Sequence, residues 1–196
     1  MEKKRLLLAA VCLSLVLTGC GMAKEVDTTT VFVKKDGTVE ENIVTDFDKD
    51  YYSVGGLQQS LAGEISEYNQ AEGQDSVTLG DVEADEEKNQ VRVKITYSNG
   101  DNYSRVHNQV FFCGTVSDAY NAGYTFVPMI DQETGASVSE TAVLELGSKK
   151  IVISEESVNV NVSGNITHVS EGVTLMDKKT AVLPEDGDKL SYIIYD

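Results

Sequence analysis

The chain has 196 residues, of which 32 are acidic and 16 basic, and its formal net charge is −16. This length suits one domain or two small ones, and so acidic a balance argues against a nucleic-acid partner, which needs a basic footprint. Only three cysteines are present, so the fold is expected to rest on its hydrophobic core rather than on disulfides.

The N-terminal residues have the pattern of a secretory signal peptide. A basic segment at residues 3–5 precedes an apolar stretch at residues 6–17. This stretch is too short for a transmembrane helix, which needs roughly 20 apolar residues. The sequence Leu-Thr-Gly-Cys at residues 17–20 resembles the lipobox of bacterial lipoproteins. The resemblance implies cleavage between Gly19 and Cys20, acylation of the Cys20 thiol, and a cell-membrane anchor that places the chain outside the cytoplasm.

The domain organisation follows from this cleavage site. Residues 1–19 are predicted to be the cleaved signal peptide, and residues 20–30 the lipidated cysteine with a short polar tether. Residues 31–196 are predicted to form a single extracytoplasmic domain, with a possible weak subdivision near residues 131–135. The predicted fold class is α+β, a mostly antiparallel β-sheet with one main amphipathic helix and one or two short helices.

The first predicted elements of the domain are a strand and a tight turn. Val31 and Val33 alternate with polar residues, which is the pattern of a half-buried strand. Residues 35–38, Lys-Asp-Gly-Thr, predict a hairpin turn after this strand.

The main helix is predicted over about residues 55–71. Its apolar side chains recur at helical spacing and share one face: Leu57, Leu61, Ile65 and Tyr68. Ser53 can cap the start of this helix, and Gly73 lies just beyond its end.

A hairpin is predicted after the helix. Residues 91–97 alternate strictly between apolar and polar side chains, and residues 77–84 form their predicted partner strand. Gly80 and Asp81 interrupt the alternation, so a bulge or bend is expected there.

The rest of the chain is predicted to contain short elements. Residues 115–118, Thr-Val-Ser-Asp, match a capping box and predict a helix of about two turns. The other predictions are a turn or helix at residues 102–108, a buried strand at 110–113, and short strands at 151–153, 158–162, 166–169, 173–176, 181–183 and 190–195.

Several of these segments resemble small lipoproteins of clostridial bacteria. The matching residues are 65–69, 95–97, 110–115, 119–124 and 192–195. The resemblance favours a Gram-positive outer face over a Gram-negative periplasm, and it implies neither an activity nor a catalytic residue.

The strongest pattern for a metal site lies just before the main helix. Asp46, Asp48 and Asp50 stand at positions 1, 3 and 5 of a possible calcium loop. Position 6 is Tyr51 where an EF-hand needs glycine, and position 12 is Leu57 where it needs a bidentate glutamate. The three aspartates therefore stay weak candidates, and no metal and no cofactor is expected.

The densest acidic patch lies at the tip of the predicted hairpin. Its members are Asp81, Glu83, Asp85, Glu86 and Glu87. Paired carboxylates can hydrolyse glycosides when they lie about 5–10 Å apart in a cleft. A hairpin tip offers no obvious cleft, so the patch is interpreted as a solubilising turn.

A Cys-His nucleophile pair has one candidate, His107 with Cys113. A catalytic cysteine must be a reachable thiolate, whereas Cys113 ends an apolar run and is interpreted as a small buried hydrophobe. His168 has no second histidine nearby in the sequence, so a zinc site is not expected.

The absence of a catalytic constellation predicts a non-enzymatic binding or interaction module of the bacterial envelope. Its expected partner is an envelope protein, a peptide or a glycan. Two alternatives stay open, an envelope hydrolase that uses acidic residues and a passive structural or assembly lipoprotein.

Overall fold

The structure describes residues 26–49, 51–73, 75–185 and 189–196. These residues contain thirteen strands and four helices. The structure is a computed structural model. The predicted signal peptide, Gly19, Cys20 and Asp50 lie outside the described residues. None of the described helices combines the length and the hydropathy that a membrane crossing requires.

The helices are separated by strands along the chain. They are α1 (Val54–Glu72), α2 (Gly100–His107), α3 (Val116–Asn121) and α4 (Glu140–Leu144). The strands of the first half are β1 (Thr30–Val33), β2 (Val39–Asp46), β3 (Val77–Asp85), β4 (Gln90–Tyr97) and β5 (Phe111–Thr115). Those of the second half are β6 (Met129–Asp131), β7 (Ser137–Val138), β8 (Lys150–Ser154), β9 (Asn159–Val162), β10 (Ile166–Ser170), β11 (Thr174–Leu175), β12 (Thr180–Val182) and β13 (Ser191–Tyr195).

The strands form two sheets. The first sheet has the order β11-β12-β9-β1-β2-β4-β3, and the second has the order β5-β8-β13-β10-β6-β7. Every pairing between the described strands is antiparallel except that of β1 with β9, in which Thr30 lies opposite Asn159. The predicted α+β class with mostly antiparallel strands is therefore confirmed.

The second sheet is the middle layer of the fold. Successive side chains of a strand point to opposite faces, and in β13 both faces are buried. Ile193 packs into a core that the two sheets share, whereas Ile194 packs into a core that includes residues of α3 and α4. The alternation of β8 agrees, since Val152 belongs to the first core and Ile151 to the second.

Helix α1 begins and ends where the sequence predicts. The Ser53 hydroxyl accepts a hydrogen bond from the Gly56 amide at 3.1 Å, and Gly73 follows the last turn with a φ of 119°. None of the residues of α1 is buried, so its predicted amphipathic character is not confirmed. Its apolar residues are few and make a narrow stripe, which packs only partly against the first core.

The predicted hairpin is confirmed by β3 and β4. Their pairing shifts register between Leu79 and Val82, so the bulge predicted at Gly80 and Asp81 is present. The six short strands predicted after residue 150 are all present as β8 to β13, and no end differs from the prediction by more than one residue.

The structure differs from the prediction in strand β5, in the number of short helices and in the segment between α3 and β8. Strand β5 lies at the sheet edge, so Phe111 is buried while the next four residues are only half-buried. The described residues form three short helices where one or two were predicted. Helix α4 and the β6–β7 hairpin were not predicted, and residues 131–135, the suggested subdivision, form the turn of that hairpin.

The capping box of α3 is formed as predicted. The Asp118 amide donates to the Thr115 hydroxyl at 3.0 Å, and the Thr115 amide donates to the Asp118 carboxylate at 3.0 Å. Thr115→Ala removes the hydroxyl acceptor and is expected to lower the free energy of unfolding by about 1 kcal/mol. Urea unfolding followed by circular dichroism measures this change. Thr115→Ser keeps the hydroxyl and is the matched control, so equal losses in both variants would contradict the assignment.

Candidate functional site

A cluster of polar side chains lies within the first core, between the two sheets and α2. Glu41 comes from β2, Tyr97 from β4, and Tyr103 and His107 from α2. Glu156 follows β8. These five residues are called the polar cluster below.

Strand register places Glu41 inside the core. Val39 pairs with Tyr97 and Glu41 pairs with Ile95, and side chains directly opposite each other share a sheet face. Glu41 therefore points to the same face as these apolar neighbours, and its side chain is only 3% exposed. The adjacent Glu40 points to the other face and pairs with lysines there.

Helix α2 brings a tyrosine and a histidine to the same carboxylate. Tyr103 and His107 are four residues apart and so share one helix face. Their rings stack with centroids 4.2 Å apart and an interplanar angle of 24°. The stacking holds the imidazole of His107 at a fixed orientation beside Glu41.

Three short contacts join Glu41, Tyr97 and His107. The Tyr97 hydroxyl donates a hydrogen bond to Oε2 of Glu41 at 2.9 Å. Nε2 of His107 lies 3.1 Å from the same carboxylate oxygen and 3.1 Å from the Tyr97 hydroxyl. A buried carboxylate needs such hydrogen bonds, because an unpaired charge in the core is strongly destabilising.

A second carboxylate, that of Glu156, lies near the other ring nitrogen of His107. The Tyr103 hydroxyl donates to Oε2 of Glu156 at 2.5 Å, and Nδ1 of His107 lies 4.0 Å from Oε1 of Glu156. The side chains of His107 and Glu156 are 23% and 21% exposed. The cluster is therefore buried at Glu41 and reachable from solvent at Glu156.

The charges of the cluster set the protonation of its members. Burial, followed by the charge of Glu41, raises the pKa of Tyr97 and of Tyr103, so both phenols stay neutral hydrogen-bond donors. For His107, burial alone would lower the pKa, but the hydrogen bond and charge of Glu41 and the charge of Glu156 outweigh it. The net pKa of His107 is raised, which favours the imidazolium form.

Three members of the polar cluster line a cleft beneath α1. The cleft has a volume of about 390 Å³. Most of its wall is apolar, and the apolar lining residues are Ile43, Leu61, Ile65, Val77, Ile95 and Val106. Its polar lining includes Glu41, Tyr97 and His107. Helix α1 is tied to the neighbouring elements at its C-terminal end, since the Tyr68 hydroxyl donates to Asn102 of α2 at 2.9 Å.

The aspartates of the possible calcium loop do not join this cluster. Asp46 and Asp48 are exposed at the end of β2, and Asp48 lies 3.0 Å from the Lys49 ammonium group. Asp50 lies outside the described residues. The two described aspartates therefore form part of a solvated connection into α1.

The acidic patch lies at the β3–β4 hairpin, as predicted. Asp81, Glu83, Glu86 and Glu87 are exposed. Asp85 is half-buried, with one carboxylate oxygen 3.6 Å from the Arg92 guanidinium. None of these residues lines the cleft beneath α1.

The candidate Cys-His pair, which the sequence argued against, does not organise His107. Its described hydrogen-bond contacts are with Glu41 and Tyr97. Cys113 is half-buried in β5, and burial raises the pKa of its thiol, which disfavours the nucleophilic thiolate. His168 lies 3.4 Å from Asp131 at the pairing of β10 with β6, away from any second histidine.

Sequence reasoning identified only His107 among the members of the polar cluster. The sequence did contain one indication of Glu41. In a strand, residues 39, 41 and 43 point to the same face, so Glu41 interrupts an apolar face formed by Val39 and Ile43. The spacing of Tyr103 and His107 was a second signal. Nothing local indicated Glu156, which reaches the cluster only through the arrangement of the two sheets.

Comparisons with known proteins add no constraint on this site. No protein-family model, curated protein or solved structure matches the chain. The chemistry of the site is therefore argued from its own geometry.

The hydroxyl of Tyr97 offers a direct test of the cluster's energetics. Tyr97→Phe removes one donor from a carboxylate that is almost fully buried, and it is expected to lower the free energy of unfolding by about 1–3 kcal/mol. Denaturant unfolding measures the loss. Tyr120→Phe is the control, because Tyr120 is 59% exposed and its change should stay within about 0.5 kcal/mol. Indistinguishable losses in the two variants would contradict the role given to Tyr97.

Proposed function

We propose that the chain is a lipid-anchored, extracytoplasmic binding module that holds a small ligand or a peptide side chain in the cleft beneath α1. The cleft is the observation that carries this proposal. Its volume of about 390 Å³ falls within the range of ligand sites, roughly 300–1,000 Å³, and such sites are mostly apolar with a few convergent polar groups. The anchor rests on the lipobox ending at Cys20, and the Gram-positive outer face rests on the clostridial resemblance.

The lining of the cleft defines the chemistry of the ligand. Leu61 and Ile65 of α1 lie across from Ile95 of β4, so an apolar body fits between helix and sheet. Glu41 and His107 lie at the polar end, so the ligand carries a group that can form hydrogen bonds there.

The partly buried apolar stripe of α1 has a role in this proposal. Leu61, Ile65 and Tyr68 are only partly buried against the core, although they form the apolar side of the helix. We infer that α1 is amphipathic because this side forms the wall that faces the ligand, rather than a face that packs fully into the core.

The same geometry weighs against the alternatives. The carboxylates that motivated an envelope hydrolase, in the patch and in the loop before α1, are mostly exposed and lie outside the cleft. A passive structural or assembly role would leave the cleft without a ligand. Ligand binding in the cleft is therefore the property to test.

The absence of tryptophan allows one reporter to be placed in the cleft. Val106→Trp puts an indole at the cleft edge, where the native side chain is 44% exposed. We expect N-phenyl-1-naphthylamine, a small apolar fluorescent amine, to bind saturably and to quench this indole by energy transfer. A panel of envelope-type peptides, glycans and amphiphiles can then be screened for displacement of the probe and for a rise in Tm, which ligand binding to the native state must produce.

A second variant separates the cleft from general surface binding. Tyr120→Trp places the indole at an exposed position of α3 that does not line the cleft. Quenching confined to the Val106→Trp chain supports the proposal. Equal quenching in both chains, or no saturable binding of the probe, overturns it.

A further inference from the structure

We propose that Glu41, His107 and Glu156 form a binding site for one divalent transition-metal ion of the Zn²⁺ class. One potential ligand atom from each of the three residues lies within 4.8 Å of the other two. This inference goes beyond the proposed function, because the three side chains can bind an ion whether or not the cleft holds a ligand.

The spacing of the three side chains suits a shared ion. Ligand atoms bound tetrahedrally at 2.0–2.2 Å to one ion lie about 3.3–3.6 Å apart, so atoms that lie within 4.8 Å of one another reach this spacing through small side-chain rotations. Oε2 of Glu41 and Nε2 of His107 are already 3.1 Å apart. Three protein ligands with one open position are typical of zinc sites that also bind water or a ligand.

The donor set selects the class of metal. Two carboxylates would suit calcium or magnesium, but these ions take oxygen ligands and gain little from an imidazole. One imidazole nitrogen with two carboxylate oxygens suits zinc and its neighbours in the first transition row. The histidine is therefore the residue that distinguishes this site from the exposed acidic patch of Asp81 to Glu87.

Neighbouring tyrosines orient the proposed ligands. Tyr97 donates a hydrogen bond to Glu41, and Tyr103 donates one to Glu156. Such outer hydrogen bonds fix ligand orientation, and their loss typically weakens metal binding by about 10–100-fold. The stacking of Tyr103 on His107 restrains the imidazole in the same way.

The local charge also favours a cation. Two carboxylates surround one imidazole, so even a protonated His107 leaves the group with an excess negative charge. Arg105, another basic residue that lines the cleft, forms an ion pair with Glu72. A divalent ion would compensate the charge of Glu41, which is almost fully removed from water, and it can enter beside the partly exposed Glu156.

Calorimetric titration of the full-length chain tests the site. The chain is purified in mild detergent without a polyhistidine tag and stripped with a chelator. It carries Cys12→Ser and Cys20→Ser so that neither thiol binds zinc. At elevated salt, we expect one Zn²⁺ per chain to bind with much higher affinity than any further ions. We expect no such high-affinity binding of Ca²⁺.

Two variants and one control assign the ligands. Glu156→Gln keeps the shape and an acceptor for Tyr103, and it is expected to weaken Zn²⁺ binding at least about tenfold. His107→Gln is expected to do the same. His168→Gln is the matched control, because His168 also lies beside a carboxylate, that of Asp131, and it should leave the affinity unchanged. Circular dichroism checks that each variant is folded.

A further measurement keeps the proposal testable if a variant fails to fold. It uses a chain in which Glu41, His107 and Glu156 are all unchanged. Nitrogen-15 NMR of the two histidines reports which imidazole binds the metal. A Zn²⁺-induced shift of His107 alone supports the site. The proposal is overturned by no stoichiometric binding, by a shift of His168 in place of His107, or by an affinity that Glu156→Gln does not change. The fluorescent-probe assay is done on metal-free protein, so either proposal can fail without the other.

Discussion

Replacing Cys20 by Ser is expected to release the domain from the membrane without unfolding it. Cys20 is the only thiol of the proposed lipobox and therefore the expected attachment site for the acyl chains. Each buried methylene contributes about 0.8 kcal/mol to membrane binding, so two acyl chains outweigh any weak surface contact. The net charge of −16 opposes contact with anionic lipid. The first described core strand begins at Thr30, so the substitution should leave packing intact.

Cell fractionation with a labelled fatty acid measures this release. The native chain should carry the label in the membrane fraction, whereas the Cys20→Ser chain should be unlabelled and lost from it. Cys113→Ser is a matched control that keeps the lipobox cysteine. An uncleaved signal peptide can also hold a precursor in the membrane, so chain length is read on the same gel. Membrane retention of an unlabelled chain of mature length would falsify the lipoprotein assignment.

Ile193→Ala is expected to cause the largest loss of stability among the substitutions considered. Ile193 is fully buried in β13, between Val152 of β8 and Val169 of β10, at the centre of the middle layer. Truncation removes buried apolar atoms and leaves a cavity that two packed sheets cannot close. The expected decrease in the free energy of unfolding is about 2–5 kcal/mol.

Ile130→Ala is the matched control for this loss. Ile130 has the same side chain, also lies in a strand of the second sheet, and is 37% exposed. Its truncation should cost less than about 1 kcal/mol, because much of the side chain is already in water. Urea unfolding of both variants gives the comparison. Similar losses would contradict the assignment of the second sheet as the middle layer.

The two proposals concern the same end of the cleft. Glu41 and His107 line the cleft and are also two of the three proposed metal ligands. An ion held by Glu41, His107 and Glu156 would add positive charge beside the polar lining of the cleft. A ligand with an oxygen or nitrogen donor would then be favoured over a purely apolar one.

The candidate site was only partly predictable. The sequence singled out His107 only as half of a possible Cys-His pair with Cys113, a pair that the apolar surroundings of Cys113 argued against. The structure surrounds His107 with Glu41, Glu156 and Tyr97 instead. Glu156 is remote from the others in sequence, so its approach depends on how the sheets pack, which no local pattern records.

The main helix illustrates the same limit. The spacing of Leu57, Leu61, Ile65 and Tyr68 correctly predicted a helix, because that period belongs to the local backbone geometry. It did not predict how deeply these side chains would be buried, because burial depends on what the sheet places beneath them. The stripe is too narrow to pack closely along the whole helix, and a cleft is left.

The sequence by itself determined the elements whose causes are local. The caps at Ser53 and Thr115 accept from amides three residues away, and the bulge at Gly80 lies within one hairpin. The strands after residue 150 follow short apolar patterns bounded by turn residues, although their partners are remote in sequence. It also predicts the anchor at Cys20, outside the described residues.

Only the tertiary structure decided which strands became neighbours and which charges were buried. The parallel pairing of β1 with β9 joins residues far apart in sequence, and the middle position of β13 buries both of its faces. These arrangements are favoured because they bury apolar surface from the whole chain. The same packing brings Glu41, His107 and Glu156 together and leaves the cleft beneath α1, so it creates both candidate sites.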